Sequence, residues 1–476
     1  YLFNEINFKA EEVEFISKKL NVKKRKNSYF VDAVIENDQS SLNSNLLKLF
    51  NLSFENILID DAKFKTNNEF TLELDEKFKV KNIILSSDIN FTQLKYKKFK
   101  ILNKYFPVDD LILLDNHKLN LTYKDKNLSI NGEGQIKLNT DEADEIKYFI
   151  NKKDKDLSID SELLLKNIVI DQQDFLKIFF PQTNKNIYLN NQKLKINFKN
   201  NNLTFSGSGK FKIDKDFEEI NYFIEKKENK VSFDANLNIK NTKFKIDNIN
   251  FKKKDKSKMD LQINGELKNN KNLNINSFII SEENNNIKIK NLFINESNQI
   301  IKIDQANFNY LDTENKINNY NIKKVEGQNY LVDGTSFNAN SLISNLLDYN
   351  EVKEKKLFEN NFNIEINFEE VYFDKTNFVK DLNGKINIIN NKVEEADILA
   401  FYDSSQNIKF TIRTNDQGEK ITTLFSSRAK PLVERYKFIR GFKDDRDGYL
   451  DFYSIKKDGV STSKLVIDNF KVKEIP

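Results

Sequence analysis

Residues 118–134 read KLNLTYKDKNLSINGEG, with apolar and polar side chains alternating on both sides of a polar link at 124–127. A period of two is typical of a strand with one buried and one solvated face. Two such runs joined by a short polar link predict an antiparallel hairpin. The same alternation recurs at 193–198, 287–290, 362–368 and 385–388. The sequence therefore predicts a long antiparallel meander of half-buried strands.

The hairpin belongs to an internal repeat. Residues 193–209 read KLKINFKNNNLTFSGSG, 75 positions after the first copy, with the same alternation and the same pair of glycines. Both copies are preceded by a Phe-Pro step, at 106–107 and 180–181, and both end in a Tyr-Phe-Ile segment. Repeats of this kind stack on their neighbours, so they predict a quasi-one-dimensional body.

An apolar stripe along one face of these strands is the candidate binding surface. In a closed sandwich, a second sheet would cover this stripe. In a single curled sheet it would line an apolar inner groove, and a large uncovered apolar surface is typical of a site for an apolar ligand. The residues predicted to line the groove are Leu119, Leu121, Tyr123, Leu128, Ile130, Ile136, Leu138, Leu194, Ile196, Phe198, Leu203, Phe205, Phe211 and Ile213.

The predicted fold class is mostly β: a long, curled, repetitive antiparallel sheet with an apolar inner groove and a few short helices. The predicted division has a β-rich N-terminal part, two repeat units, a continuing meander and a C-terminal segment with amphipathic helices. Their bounds are 1–99, 100–174, 175–250, 251–333 and 334–476.

Three segments have helical patterns, at 174–180, 341–347 and 430–442. The third is the clearest, because Pro431 suits a first helical turn and the apolar residues after it share one face. Two strands are predicted to follow it, at 449–455 and 464–472.

The composition excludes several kinds of site. The 476 residues include no Cys, no Trp and one His, so a zinc site of cysteines and histidines cannot form. The 76 basic and 72 acidic residues are spread along the chain, whereas a nucleic-acid partner needs a basic stripe. We therefore predict no cofactor, no metal, no nucleic-acid partner and no enzymatic activity.

Several polar features of the sequence have a structural interpretation that is preferred to a functional site. His117 is interpreted as a turn residue before a strand, because the second repeat has Gln192 at this position. The acidic pairs 109–110 and 282–283 do not stand out from many others, and the acidic run 444–447 lacks the spacing of a calcium loop, which favours a solvated turn.

The glycine pairs 132/134 and 207/209 are followed by strand patterns and not by helices, so they predict a repeated bulge or bend and not a phosphate loop. The basic runs 23–26 and 252–254 are short, which favours a solvated hairpin or sheet edge over a lipid or nucleic-acid site.

The order of several segments resembles the AsmA-like proteins of Gram-negative bacteria, in particular the YhdP-type branch, with TamB as a more distant relative. The first is the repeat itself, followed by the run Phe233–Ile239. The second is Gly334–Leu342, which is similar to the family's Gly-x-Ser-Phe-Asp-Ala segment. The third is the C-terminal order of an amphipathic helix, a Gly-Tyr-Leu strand at 448–450 and an Asp-Asn-Phe strand at 468–470.

This resemblance implies a periplasmic protein, tethered to the inner membrane by a segment upstream of Tyr1. It implies phospholipid transport from the inner to the outer membrane along a hydrophobic β groove, with membrane-protein partners at either end. Because Tyr1 and not Met opens the chain, we interpret it as part of a longer protein. Replacing Ile130, Phe205 or Phe211 by Asp or Arg is expected to block lipid passage and leave the fold intact.

Two alternatives to a lipid path are compatible with strands of this kind. A closed β-solenoid or sandwich, acting as a spacer or adhesin, would bury the same apolar residues against one another. An enzyme acting on polysaccharide would need a cleft with two matched carboxylates, which the repeat does not offer in both copies.

Overall fold

The computed structural model describes most of the chain. The described residues are 1–10, 13–41, 57–58, 62–97, 111–137, 142–154, 156–171, 179–181, 186–269, 271–340, 358–436 and 442–472.

Strands dominate the structure, with 77% of residues in strands and 3% in helices. The strands form open, curled, antiparallel sheet, which confirms the predicted fold class. The chain divides into two compact units, of which the first contains residues 1–177 and 182–237 and the second contains 178–181 and 238–476.

The first unit is an antiparallel meander in which nearly every strand pairs with the strands before and after it. The short strand β4 pairs with β6. The strands are β1 Leu2–Ala10, β2 Val13–Arg25, β3 Ser28–Ser41, β4 Ile57–Leu58, β5 Lys63–Asp75, β6 Val80–Lys97, β7 Leu111–Lys124, β8 Asn127–Lys137, β9 Asp144–Lys153, β10 Asp156–Asp171, β11 Asn186–Lys199, β12 Asn202–Lys212, β13 Glu218–Lys227 and β14 Lys230–Ile239.

The two sequence repeats have equal strand lengths and equal register. Strands β7 and β11 each have 14 residues, and β8 and β12 each have 11. Leu121 faces Ile130 in the first repeat, and Ile196 faces Phe205 at the equivalent position of the second. The sequence repeat is therefore also a repeat of cross-strand contacts.

Tight hairpins join the strands of each repeat. The central turn residues have positive φ, 51° and 60° at Asp125 and Lys126, and 51° and 60° at Asn200 and Asn201. Two successive positive φ values are typical of the type I′ turn, whose twist matches that of the strands it joins. Asp and Asn tolerate this conformation better than most residues, which explains polar links of this length.

The described residues of the second unit form fifteen strands, which pair antiparallel except that β22 and β23 pair in parallel and an isolated parallel bridge joins Ile300 to Phe358. Its strands are β15 Lys245–Ile246, β16 Phe251–Lys252, β17 Met259–Lys268, β18 Asn272–Glu282, β19 Asn285–Ile294, β20 Ile300–Leu311, β21 Ile317–Lys324, β22 Asn329–Asn338, β23 Phe362–Tyr372, β24 Phe378–Ile389, β25 Lys392–Phe401, β26 Asn407–Thr414, β27 Lys420–Ser426, β28 Phe442–Lys457 and β29 Val460–Val472.

The described residues contain one α-helix, α1 Ala429–Tyr436, and a 3-10 turn at Asp247–Ile249. The prediction of a helix from Lys430 to Phe442 is correct for its first half, but Phe442 begins strand β28. The two strands predicted after the helix are confirmed as β28 and β29. The helix predicted at 341–347 and most of the one predicted at 174–180 lie outside the described residues.

No helix in the described ranges is both long and apolar enough to cross a membrane.

Much of the sheet surface has no second layer over it. Many apolar side chains on the strands are accordingly only half-buried, among them Leu121, Ile130 and Phe205.

Candidate functional site: the apolar face of the repeated strands

Two rows of side chains cross the repeated strands on the apolar face. The first row runs through directly paired residues on six strands, β7 to β12, and every member is apolar and half-buried. Its members are Leu121, Ile130, Ile150, Ile159, Phe198 and Leu203. Directly opposed side chains on one face pack against each other, so this row is a continuous apolar strip.

The second row lies beside the first and mixes small and large residues. It reaches from β7 to β13 through Leu119, Gly132, Tyr148, Ser161, Ile196, Phe205 and Ile224. Gly132 and Ser161 flank Tyr148 in this row.

The structure places the predicted groove residues in two classes. Ten of them are half-buried: Leu119, Leu121, Tyr123, Leu128, Ile130, Leu194, Ile196, Phe198, Leu203 and Phe205. Three are buried: Ile136, Phe211 and Ile213. Leu138 lies outside the described residues. Ile136 packs in a cluster with Leu163, Leu165 and Ile168, so this end of the strands forms a local core and not an open surface.

A tyrosine lies flat over a glycine in each repeat. A Cβ atom added to Gly132 would come within 2.4 Å of the Tyr148 ring, and one added to Gly207 within 2.2 Å of the Tyr222 ring. The glycines at these two positions make room for aromatic rings from the neighbouring strand. Burial raises the pKa of Tyr148 to about 12 and also raises that of Tyr222, so both hydroxyls stay protonated at neutral pH.

The second glycine of each pair faces a β-bulge in the preceding strand. The register shifts between Asp115 and Lys118 in the first repeat and between Asn190 and Lys193 in the second. This confirms the prediction of a repeated bulge, although the extra residue lies on the strand opposite the glycine.

His117 fills the first of these bulges, inside strand β7, so its interpretation as a turn residue before a strand is wrong. It is buried, and its ring stacks on Phe91 with centroids 5.0 Å apart. Its Nε2 lies 2.9 Å from the carbonyl oxygen of Gln135, and its Nδ1 lies 3.2 Å from the hydroxyl of Tyr148. Because the carbonyl can only accept, Nε2 carries the hydrogen and Nδ1 accepts one from Tyr148. Burial lowers the pKa of His117, which keeps the ring neutral.

A buried polar network adjoins the two rows on strands β3, β5 and β6. The Oδ1 of Asn37 accepts from the backbone N–H of Thr66 at 2.9 Å, and the Nδ2 of Asn68 donates to the hydroxyl of Thr66 at 2.8 Å. The hydroxyl of Ser87 donates to the Oδ1 of Asn68. Ser87 directly faces Leu121, so the first row changes from apolar to polar at the step from β7 to β6. The alternation of apolar and polar residues did not predict this network, because polar residues at inward positions interrupt that alternation.

The acidic candidates have structural contacts. The Oε1 of Glu282 accepts from the backbone N–H of Lys254 at 2.8 Å, and Glu283 forms an ion pair with Lys254 at 2.7 Å.

The acidic run 444–447 lies within strand β28 and not in a turn, which corrects the prediction. Its last residue, Asp447, forms an ion pair with Arg428 at 2.6 Å. Asp109 and Asp110 lie outside the described residues. Within the part of the chain that the structure describes, no three acidic or histidine side chains are grouped so that they could hold a metal ion.

The basic runs differ from each other. The run 23–26 is exposed at the hairpin between β2 and β3, as predicted. In the second run Lys253 is buried, and its Nζ donates to the carbonyl oxygens of Lys240 at 2.6 Å and of Lys254 at 3.0 Å. The prediction of a solvated edge is therefore wrong for Lys253.

Two shallow depressions lie on the polar side of the strands. One, of about 730 Å³, is in the second unit and is lined in part by Asn329, Asn363 and Asn387. The other, of about 450 Å³, is in the first unit and includes Lys193 and Phe223. Neither is lined by any of the predicted groove residues, so the apolar face is a candidate as an open surface and not as an enclosed pocket.

Comparison with known proteins gives no family for this chain. No family model matches it, and no match was found among the curated proteins.

Proposed function

We propose that this chain is a segment of an AsmA-like lipid-transfer protein that carries phospholipids across the periplasm, from the inner to the outer membrane. The observation that supports this proposal is the continuous first row, in which six directly paired apolar residues on six strands stay half-buried. A surface of this kind has more apolar area in contact with water than folding of the sheet requires. The order of segments described above adds a resemblance to this family.

In the proposed mechanism, acyl chains lie along the two rows and headgroups stay in water at the margin of the sheet. Burial of the chains supplies the driving force, at about 0.8 kcal/mol per CH₂ group. The residues along the rows have no charged side chains, so selectivity for the headgroup is weak. A segment upstream of Tyr1 tethers the protein to the inner membrane, and membrane proteins serve as partners at either end. We assign the chain no catalytic role.

The test is native and lipid mass spectrometry of the gently purified protein. Phospholipids at several copies per chain are expected for the wild type, and their loss is expected for Ile130→Asp and Phe205→Asp. Ser206→Asp is a matched control, because it adds the same charge next to Phe205 but on the opposite face, where Ser206 pairs with Lys195. Lipid binding that survives both inward substitutions would contradict the proposal.

A second candidate function, a structural spacer or adhesin with a closed core, is favoured by one observation in the second unit. There Met259, Ile280 and Ile287 are fully buried, and the rings of Phe308 and Tyr320 stack with centroids 4.6 Å apart. A monodisperse protein without bound lipid would favour this function over lipid transfer.

A further inference from the structure

Three aromatic side chains are exposed together on the polar face of the last strands of the second unit. Phe425 on β27 is 41% exposed, and Tyr449 and Tyr453 on β28 are 39% and 41% exposed. Polar faces of sheets normally carry polar or charged residues. A group of rings on such a face therefore needs an explanation beyond folding.

The strand register brings the three rings together as a flat triangle. Residues 449, 451 and 453 share a face because side chains alternate along a strand, and Phe425 is paired directly with Asp451. Phe425 thus lies beside the midpoint between the two tyrosines. Four residues of strand separate the tyrosines by about 13 Å, with the phenylalanine about halfway.

The residues around the rings are polar except for exposed Val466, which pairs with Asp451. Asp451 lies between the tyrosines, and its carboxylate forms no hydrogen bond or ion pair with any residue that the structure describes. The Tyr449 hydroxyl donates to Asp468 at 2.9 Å. Lys409 pairs with Phe425 and Lys464 with Tyr453, so two basic residues balance the two acidic ones.

We propose that Phe425, Tyr449 and Tyr453 form a binding platform for a neutral linear glycan. Sugar rings have apolar C–H faces that pack flat on aromatic rings, and hydroxyl groups at their edges. Three rings spread over about 13 Å of two neighbouring strands offer stacking positions to several sugars of one chain, and the Asp451 carboxylate accepts hydrogen bonds from their hydroxyls.

The same residues argue against other occupants. A single-stranded nucleic acid also stacks on aromatic rings, but it needs a basic groove for its phosphates, and this surface has two carboxylates. An apolar protein surface would bury Asp451 without a partner, which is costly. A hydroxyl-rich ligand satisfies the carboxylate and stacks on the rings.

The experiment is isothermal titration of the full chain with three neutral hexasaccharides, namely cellohexaose, maltohexaose and chitohexaose. At least one is expected to bind. Phe425→Ser and Tyr453→Ser are each expected to weaken that binding about tenfold, since each removes one stacking position. Asp451→Asn tests the hydrogen-bonding role and is expected to weaken binding without changing the melting temperature.

Phe149→Ser is the matched control, because Phe149 is also 41% exposed but has no exposed aromatic neighbour on its paired strands, where it faces Asn131 and Asp160. It is expected to bind like the wild type. Circular dichroism of each variant shows whether it is folded.

Three results would overturn the proposal. They are that none of the three sugars binds, that binding survives both ring substitutions, or that Phe149→Ser weakens binding as much as the two ring substitutions do. Self-association that depends on Tyr453 would also overturn it, because the surface would then join two copies of the chain.

Discussion

His117 and Gln192 occupy the same β-bulge in successive repeats and make the same hydrogen bond. The Nε2 of His117 lies 2.9 Å from the carbonyl oxygen of Gln135, and the Nε2 of Gln192 lies 2.8 Å from that of Lys210. Gln135 and Lys210 are themselves equivalent, 75 residues apart. Histidine at this site therefore acts as a neutral donor that an amide can replace.

This equivalence predicts a pH-dependent stability that His117→Gln removes. The pKa of His117 is lowered in the folded state, so the unfolded chain binds a proton first as the pH falls. The contribution of neutral His117 to the free energy of unfolding is complete above the unfolded pKa of about 6.5. Below that pH it decreases, by up to about 1.4 kcal/mol per pH unit, until the folded pKa is reached.

Urea denaturation at pH 7.5 and pH 5.5 measures this effect. Because this chain has a single histidine, the wild type is expected to lose more stability than the variant between these values. Equal losses would contradict the assigned neutral state.

The stacking of Tyr222 on Gly207 predicts that Gly207→Ala destabilises the first unit. The added methyl group would lie 2.2 Å from the ring, so the tyrosine must move, at a cost of about 1–3 kcal/mol. Thermal denaturation measures the loss. Ser208→Ala, at the next residue on the opposite face, is expected to change the melting temperature little. Combining Gly207→Ala with Tyr222→Ala is expected to cost less than the sum of the two single changes, and strict additivity would contradict a direct clash.

The polar network predicts a difference between two neighbouring serines. Ser87→Ala removes the hydrogen that Ser87 donates to Asn68 and leaves a half-buried acceptor unpaired, which costs about 1 kcal/mol. Ser86 points to the opposite face, and Ser86→Ala is expected to be nearly neutral. Denaturant midpoints of the two variants provide the comparison, and equal midpoints would show that the network contributes nothing.

Phe205 and Phe211 are predicted to respond differently to charge, although both belong to the same apolar stripe. Phe205 is half-buried, whereas Phe211 is 2% exposed and is paired with Leu189 and Glu218. Phe205→Asp is expected to leave the chain folded. Phe211→Asp buries an unpaired charge and is expected to cost more than about 3 kcal/mol, which corrects the expectation from the sequence that this change leaves the fold intact. Loss of lipid in the Phe211 variant would then report unfolding and not a blocked groove, so circular dichroism must accompany the assay.

The sequence alone predicted the strands and the internal repeat, because period-two alternation follows directly from strand geometry and equal spacing is visible in the sequence. It did not separate Phe205 from Phe211, since burial depends on which strand ends meet in three dimensions. The parallel pair β22–β23 was also missed, because its two strands are separated by a long connection and alternation carries no information about direction. Phe425 and Tyr453 are 28 residues apart, and only the pairing of β27 with β28 shows that they share one surface.

The equal register of the two repeats has a consequence for how such a chain changes in length. Strand β6 pairs with β7 through Ile89 and Leu119, and Leu194 is equivalent to Leu119 in the next copy. Deleting one copy in frame would present β11 to β6 with the same alternation, and inserting one would add four strands, about 19 Å along the ladder. Evolution can therefore adjust the reach of this protein in whole modules, and each module brings with it the contacts that its neighbours need.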